Sequence, residues 1–181
     1  MSRVFRRFAS STHGSSASEA AAEILQRYGN KPVSVREQLL DANQARLLAI
    51  TLNRQSLHQN VSLDADGAPV DGTPLPPGYH LVYFTPTYWT KDLGIDGTDK
   101  VVNPLAPWTR RMWAGGELEW TQDPKKILRI GQKVKETTQI TSAQEKKMKS
   151  GDSMILAGLV KTFENEHGVA LVDRRCVYSS E

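Results

Sequence analysis

The chain has 181 residues with 23 basic and 20 acidic side chains, a formal charge of +3 and a length that fits one domain with a tail. Its 39% hydrophobic and 24% charged content lies in the globular range, and no run approaches the roughly 18 apolar residues of a membrane-spanning helix. A single cysteine, Cys176, excludes an intramolecular disulfide and a cysteine-rich zinc site and points to a reducing compartment.

The first residues, MSRVFRRFASSTHGSSAS, carry Arg3, Arg6 and Arg7 and no acid before Glu19. On a helix Val4 and Phe8 share one side while Arg3 and Arg7 share another. This basic amphipathic pattern, poor in acid, is that of a mitochondrial transit segment. Residues 1–17 are read as that segment, with cleavage near residues 8–9 and a destination in the mitochondrial matrix. The competing reading is a disordered basic tail. Without the three arginines the balance is 20 basic to 20 acidic residues, so the mature domain is formally neutral and global charge says nothing about an anionic partner.

Residues 18–60 read as a helical N-terminal part. Over 18–29, Ala21, Leu25 and Tyr28 share a face and Gly29 stops the helix. Ser34 and Glu37 have capping-box spacing for a second helix, with a stripe of Val35, Leu39, Ala42, Ala49 and Ile50 ending near Asn53. Residues 61–181 read as strand-rich after a Pro- and Gly-punctuated loop that ends at residue 78. Strands are predicted at His80–Phe84, at 110–120 with a Gly-Gly bend, and at 133–142, 153–163 and 169–178. Hairpin tips fall at Lys149–Asp152 and Asn165–Gly168. Helices followed by an antiparallel meander make an α+β layout.

The strings YHLVYFTP, RRMWAGGELEW and the tail from Ile130 to Tyr178 stand in a familiar order. They resemble the N-terminal half of MaoC-like hydratases and dehydratases. The likeness is nearest to fungal mitochondrial type 2 hydroxyacyl-thioester dehydratases and to mesaconyl-CoA hydratases. LPPGYH at 75–80 is similar to that group's Pro-Pro-x-aromatic-His entry to its first long strand. The resemblance spans roughly residues 34–179. It implies a hot-dog fold, a curved antiparallel sheet around a helix, whose units work in pairs and bind acyl thioesters at their interface. It also implies reversible loss of water from a 3-hydroxyacyl group on acyl carrier protein or coenzyme A, serving matrix fatty-acid synthesis, with no metal or redox cofactor.

Such a dehydration needs a base for the proton beside the thioester carbonyl, an acid for the departing hydroxide, and donors for charge on the thioester oxygen. In the resembled family the catalytic His and its Asp or Asn partner belong to the second hot-dog unit, and this sequence ends at Glu181, where that unit would begin. No catalytic residue is therefore assigned. The expected role is a non-catalytic half pairing with a catalytic hot-dog unit or with its own copy. An inactive scaffold or acyl-thioester-binding subunit is the alternative, and a truncated gene product stays open. Asn53 and His58 echo the family's catalytic spacing but lack the following Tyr-Asp.

The substrate-binding candidates are His80, Trp113, Ala114, Gly115 and Gly116. His80 enters among Tyr79, Tyr83 and Phe84, either lining an acyl tunnel or standing as a buried histidine with one partner. The adjacent glycines allow close backbone approach, to a ligand or to a neighbouring strand. Arg110 and Arg111, the Lys146–Lys149 tip and the Lys125–Arg129 turn either steer an anionic carrier or form wet, solvated edges. Basic residues interleaved with aromatics are not evident, so no nucleic-acid partner is expected.

Overall fold

The computed structural model describes residues 14–58, 61–63, 67–94, 97–100, 102–104, 106–108 and 110–180. The targeting expectation falls mainly on residues 1–13, outside this set. Helix α1 (Ala17–Tyr28) opens on a capping box, with Ser16 accepting from the Glu19 amide while the Glu19 carboxylate accepts from the Ser16 amide. Its buried face is Ala17, Ala20, Ala21 and Ile24. Leu25, expected on that face, is more than one-third exposed, since the buried stripe runs through Ala17, Ala20, Ala21 and Ile24 and leaves Leu25 at its margin.

The second predicted helix resolves into two elements. Ser34–Leu39 is strand β1, and helix α2 (Ala42–Thr51) starts afresh with Asp41 capping the Gln44 amide at 2.9 Å. Val35 and Leu39 stand on the exposed side of β1. A short pair follows, β2 (Ser56–His58) and β3 (Val61–Ser62). His80–Phe84 is not a strand. Gly78, at φ +87°, turns the chain into a 3-10 helix over Tyr79–Val82, a turn that needs the conformational freedom of glycine.

Four long strands then run as expected in place and order: β4 (Arg110–Trp120), β5 (Lys133–Lys147), β6 (Ser153–Asn165) and β7 (Gly168–Ser180). The antiparallel sheet has the order β1-β5-β6-β7-β4, leaving β1 and β4 as edges. Two apolar clusters pack on its inner face. One joins α2 and the 3-10 segment to Val134, Phe163 and Leu171; the other joins α1 to Ile140, Ile155, Leu159 and Trp108.

Alternation along the strands places a charged band between these clusters. On β5, Glu136 and Thr138 stand between Val134 and Ile140. On β6, Lys161 stands between Phe163 and Leu159, and on β7, Asp173 and Arg175 stand between Leu171 and Val177.

Candidate functional site

The band is held by ion pairs because buried carboxylates need partners. Glu136 is fully buried. Both of its oxygens accept from Arg36 Nη2 at 2.9 Å, and its Oε1 also accepts from Lys161 Nζ at 3.0 Å and Thr138 Oγ1 at 2.9 Å. Burial alone would raise this carboxyl, but the Lys161 charge and the hydrogen bonds from Arg36, Lys161 and Thr138 outweigh it and hold the pKa below the ordinary value. Asp173, also buried, accepts from Arg175 Nε at 2.8 Å. Arg36 further donates to the Phe84 and Thr85 carbonyls at 2.9 and 3.0 Å, tying edge strand β1 to the start of the segment that crosses the sheet.

That segment roofs a cavity of about 370 Å³, within the size range of small-molecule sites. Pro86, Thr87, Tyr88, Asp99 and Val102 line one side; Arg36, Thr138, Lys161 and Arg175 line the sheet side. Val33, Leu159 and Val177 supply apolar wall, and Arg111, Met112 and Trp113 close the end at β4. Arg111 donates to Asp99 at 3.0 Å across the cavity. Among the described lining residues there is no histidine, and Asp99 is the only carboxylate. No group of three or more potential ligands could hold a metal ion among the described residues.

Of the sequence candidates, Trp113 lines this cavity, with the Arg175 guanidinium 6.0 Å from its ring centroid. Ala114 is the extra residue of a β-bulge, since Trp113 pairs with Val177 and Gly115 with Cys176. Gly115 has φ +149°. At Gly116 a Cβ would lie 2.7 Å from the Trp113 ring and 2.8 Å from the Arg174 carbonyl, so this glycine admits both the ring and the neighbouring strand. Ala114, Gly115 and Gly116 therefore shape β4 beside the cavity without lining it.

His80 lies elsewhere, fully buried in the core with its ring edge-on to Phe163 and Trp120 at 5.0 and 5.2 Å. Neither ring nitrogen has a hydrogen-bond partner among the described residues. The expected single partner is missing because its neighbours are aromatic faces. Burial drives the imidazole down to about 4, with Asp173 opposing. Asn53 ends α2 in a left-handed conformation, and His58 Nε2 sits 2.8 Å from the Pro74 carbonyl, so neither reaches the cavity.

Sequence reasoning missed Arg36, Lys161 and Arg175. The available signal was a charge at an inward position of an apolar alternation, as in Leu159-x-Lys161-x-Phe163 and Leu171-x-Asp173-x-Arg175-x-Val177.

Residues 78–181 match the model of a family described as hydroxyacyl-thioester dehydratase type 2. No curated protein matches the chain. Among solved structures, the ChsH1–ChsH2 complex from Mycobacterium tuberculosis is similar at 11% identity and a TM-score of 0.58, covering 88% of each chain. A MaoC-like dehydratase from Rhodospirillum rubrum gives 15% identity and a TM-score of 0.44, over 81% of this chain and 90% of that one. The curved five-stranded antiparallel sheet with its helices is the hot-dog, α+β arrangement. Among the described residues no helix is long and apolar enough to cross a membrane.

Proposed function

The chain belongs to the hydroxyacyl-thioester dehydratase type 2 family, and from that premise we propose that it is the acyl-holding, non-catalytic half of a 3-hydroxyacyl-thioester dehydratase of mitochondrial fatty-acid synthesis. The carrying observation is the cavity's chemistry. Its apolar walls and cationic floor can hold an acyl thioester, yet its one lining carboxylate is engaged by Arg111 and no histidine reaches it among the described residues. Dehydration needs a positioned base and acid; in this reading a catalytic hot-dog unit brings them. Arg36, Lys161 and Arg175 meanwhile position the substrate.

The open β4 edge supports pairing. It leaves Met112, Trp113 and Leu118 largely exposed beside the cavity mouth, a surface that edge strands ordinarily protect. The matrix location rests on the basic, acid-poor residues 1–17. The carrier is acyl carrier protein or coenzyme A.

The test is to isolate the chain from mitochondria with whatever it binds, identify the partner by mass spectrometry, and assay hydration of an enoyl thioester. The chain alone should be inactive and the reassembled pair active. Full activity of the chain alone overturns the assignment. An inactive pair that still binds acyl thioesters makes the chain a binding subunit instead.

A further inference from the structure

The cavity runs obliquely across the sheet rather than along a strand. Its floor starts at Trp113 on β4 and passes Val177 on β7 and Leu159 on β6. It then reaches Thr138 on β5 and Arg36 on β1. The strands are crossed in the order in which they pair, through four spacings or about 19 Å. The two ends differ. At β4 the lining side chains Met112 and Trp113 are largely exposed, so this end is open. At β1 the Arg36 guanidinium stands across the way. It is bonded to Glu136 in the floor at 2.9 Å and to the Phe84 and Thr85 carbonyls, where the roof begins, at 2.9 and 3.0 Å.

A thioester stays tethered to a carrier outside the protein and is presented at the open end. Its acyl tail therefore points from Trp113 toward Arg36. Val177, Leu159 and Val102 offer that tail hydrocarbon, and Glu136 and Asp173 pair with Lys161 and Arg175 beside it. At Arg36 the path stops. A methyl pushed past the guanidinium breaks its bonds to roof and floor and gives no acceptor in return. Resting on the acyl-thioester reading above, we infer that Arg36 is the end stop that sets the length of the acyl tail and makes this a medium-chain site. Roughly ten to twelve carbons fill the four spacings once the Trp113 and Arg36 side chains have taken their share. Arg36 precedes residues 78–181, the stretch that matches the family model, so the stop comes from a part of the chain outside that match.

Free coenzyme A and its hexanoyl, decanoyl and hexadecanoyl thioesters, titrated calorimetrically into the full chain below their micelle concentrations, test this. A fully buried methylene is worth about fourfold, so affinity should rise at least about tenfold from hexanoyl to decanoyl. It should then gain nothing, or fall, at hexadecanoyl. Arg36→Ala leaves Glu136 its Lys161 and Thr138 partners and should let hexadecanoyl-CoA gain at least about tenfold relative to decanoyl-CoA. Ser34 lines the same end, and Ser34→Phe should move the stall toward hexanoyl without removing a bond of Arg36. Affinity that keeps climbing to hexadecanoyl in the unaltered protein overturns the stop and leaves the acyl-thioester reading standing. A stall that stays in place in a folded Arg36→Ala, or in Ser34→Phe where the first variant does not fold, also overturns it. If all three thioesters bind no better than free coenzyme A, the acyl-thioester reading falls and takes the inference with it.

Discussion

Protonating His80 between Phe163 and Trp120 would bury an imidazolium with no hydrogen-bond partner among the described residues, so the residue folds as the neutral base. Its folded pKa is about 4 against 6.5 for the free side chain. Between those values the unfolded chain holds the extra proton, and stability therefore rises with pH across this window. The contribution, about 3 kcal/mol from the size of the shift, is complete above pH 6.5 and is lost as pH falls toward 4. Glu136 acts lower down. Its folded pKa lies below the ordinary 4.5, so its ion pairs stabilise above that value and fail as pH falls through the depressed one. Urea unfolding at pH 7 and pH 5 separates the two groups. His80→Phe should flatten the slope between these pH values whatever it does to absolute stability, and an undiminished slope would assign the titration to another residue.

Among the elements, β4 to β7 were legible because period-two alternation and glycine turns act locally. The tips at Gly151 and Gly168 are both at positive φ. Ser34–Leu39 misled for an equally local reason. The spacing of Val35 and Leu39 fits a helix face, and Ser34 with Glu37 imitates a capping box. In the folded chain the hydrogen bonds of this segment go to β5, with Val35 opposite Thr137 and Leu39 opposite Lys133. The HLVYF string has strand composition, but the Pro76-Pro77-Gly78 turn feeds it into a 3-10 helix that packs its aromatics under the sheet. In β4 the Gly-Gly bend was legible and its purpose was not. Trp113 and Gly116 come to the same side only because Ala114 is bulged out. Gly116→Ala should destabilise by about 1–3 kcal/mol through overpacking against the Arg174 carbonyl and shift tryptophan fluorescence as the Trp113 ring is displaced. A variant as stable as the parent, with unchanged emission, would show that the ring is not seated there.

For the molecule as a whole, the site escaped the sequence because most of its charges come together across strands, Asp173 with Arg175 on β7 excepted. Arg36 and Glu136 are 100 residues apart, and the Lys161 that Glu136 also meets lies 25 residues away across the β5–β6 hairpin. Only the antiparallel order brings β1, β5, β6 and β7 side by side, so the cavity is a property of the sheet. The two sheet edges differ in the same global sense. Edge β1 has six residues and carries Arg36, Glu37 and Gln38, the short, charged design that discourages strand addition. Edge β4 has eleven residues and presents Met112, Trp113 and Leu118 at 49%, 62% and 44% exposure. On the pairing proposed above, this is the edge a second unit would cover, and that unit would sit beside the Arg111–Trp113 end of the cavity. Leu118→Lys places an edge-protecting charge on β4 without touching a cavity residue. Sedimentation velocity should show at least about tenfold weaker association, with an unchanged far-UV circular dichroism spectrum because the substituted side chain is outside both core clusters. If the variant assembles as the parent does, pairing proceeds through another surface and β4 is left as an unprotected edge.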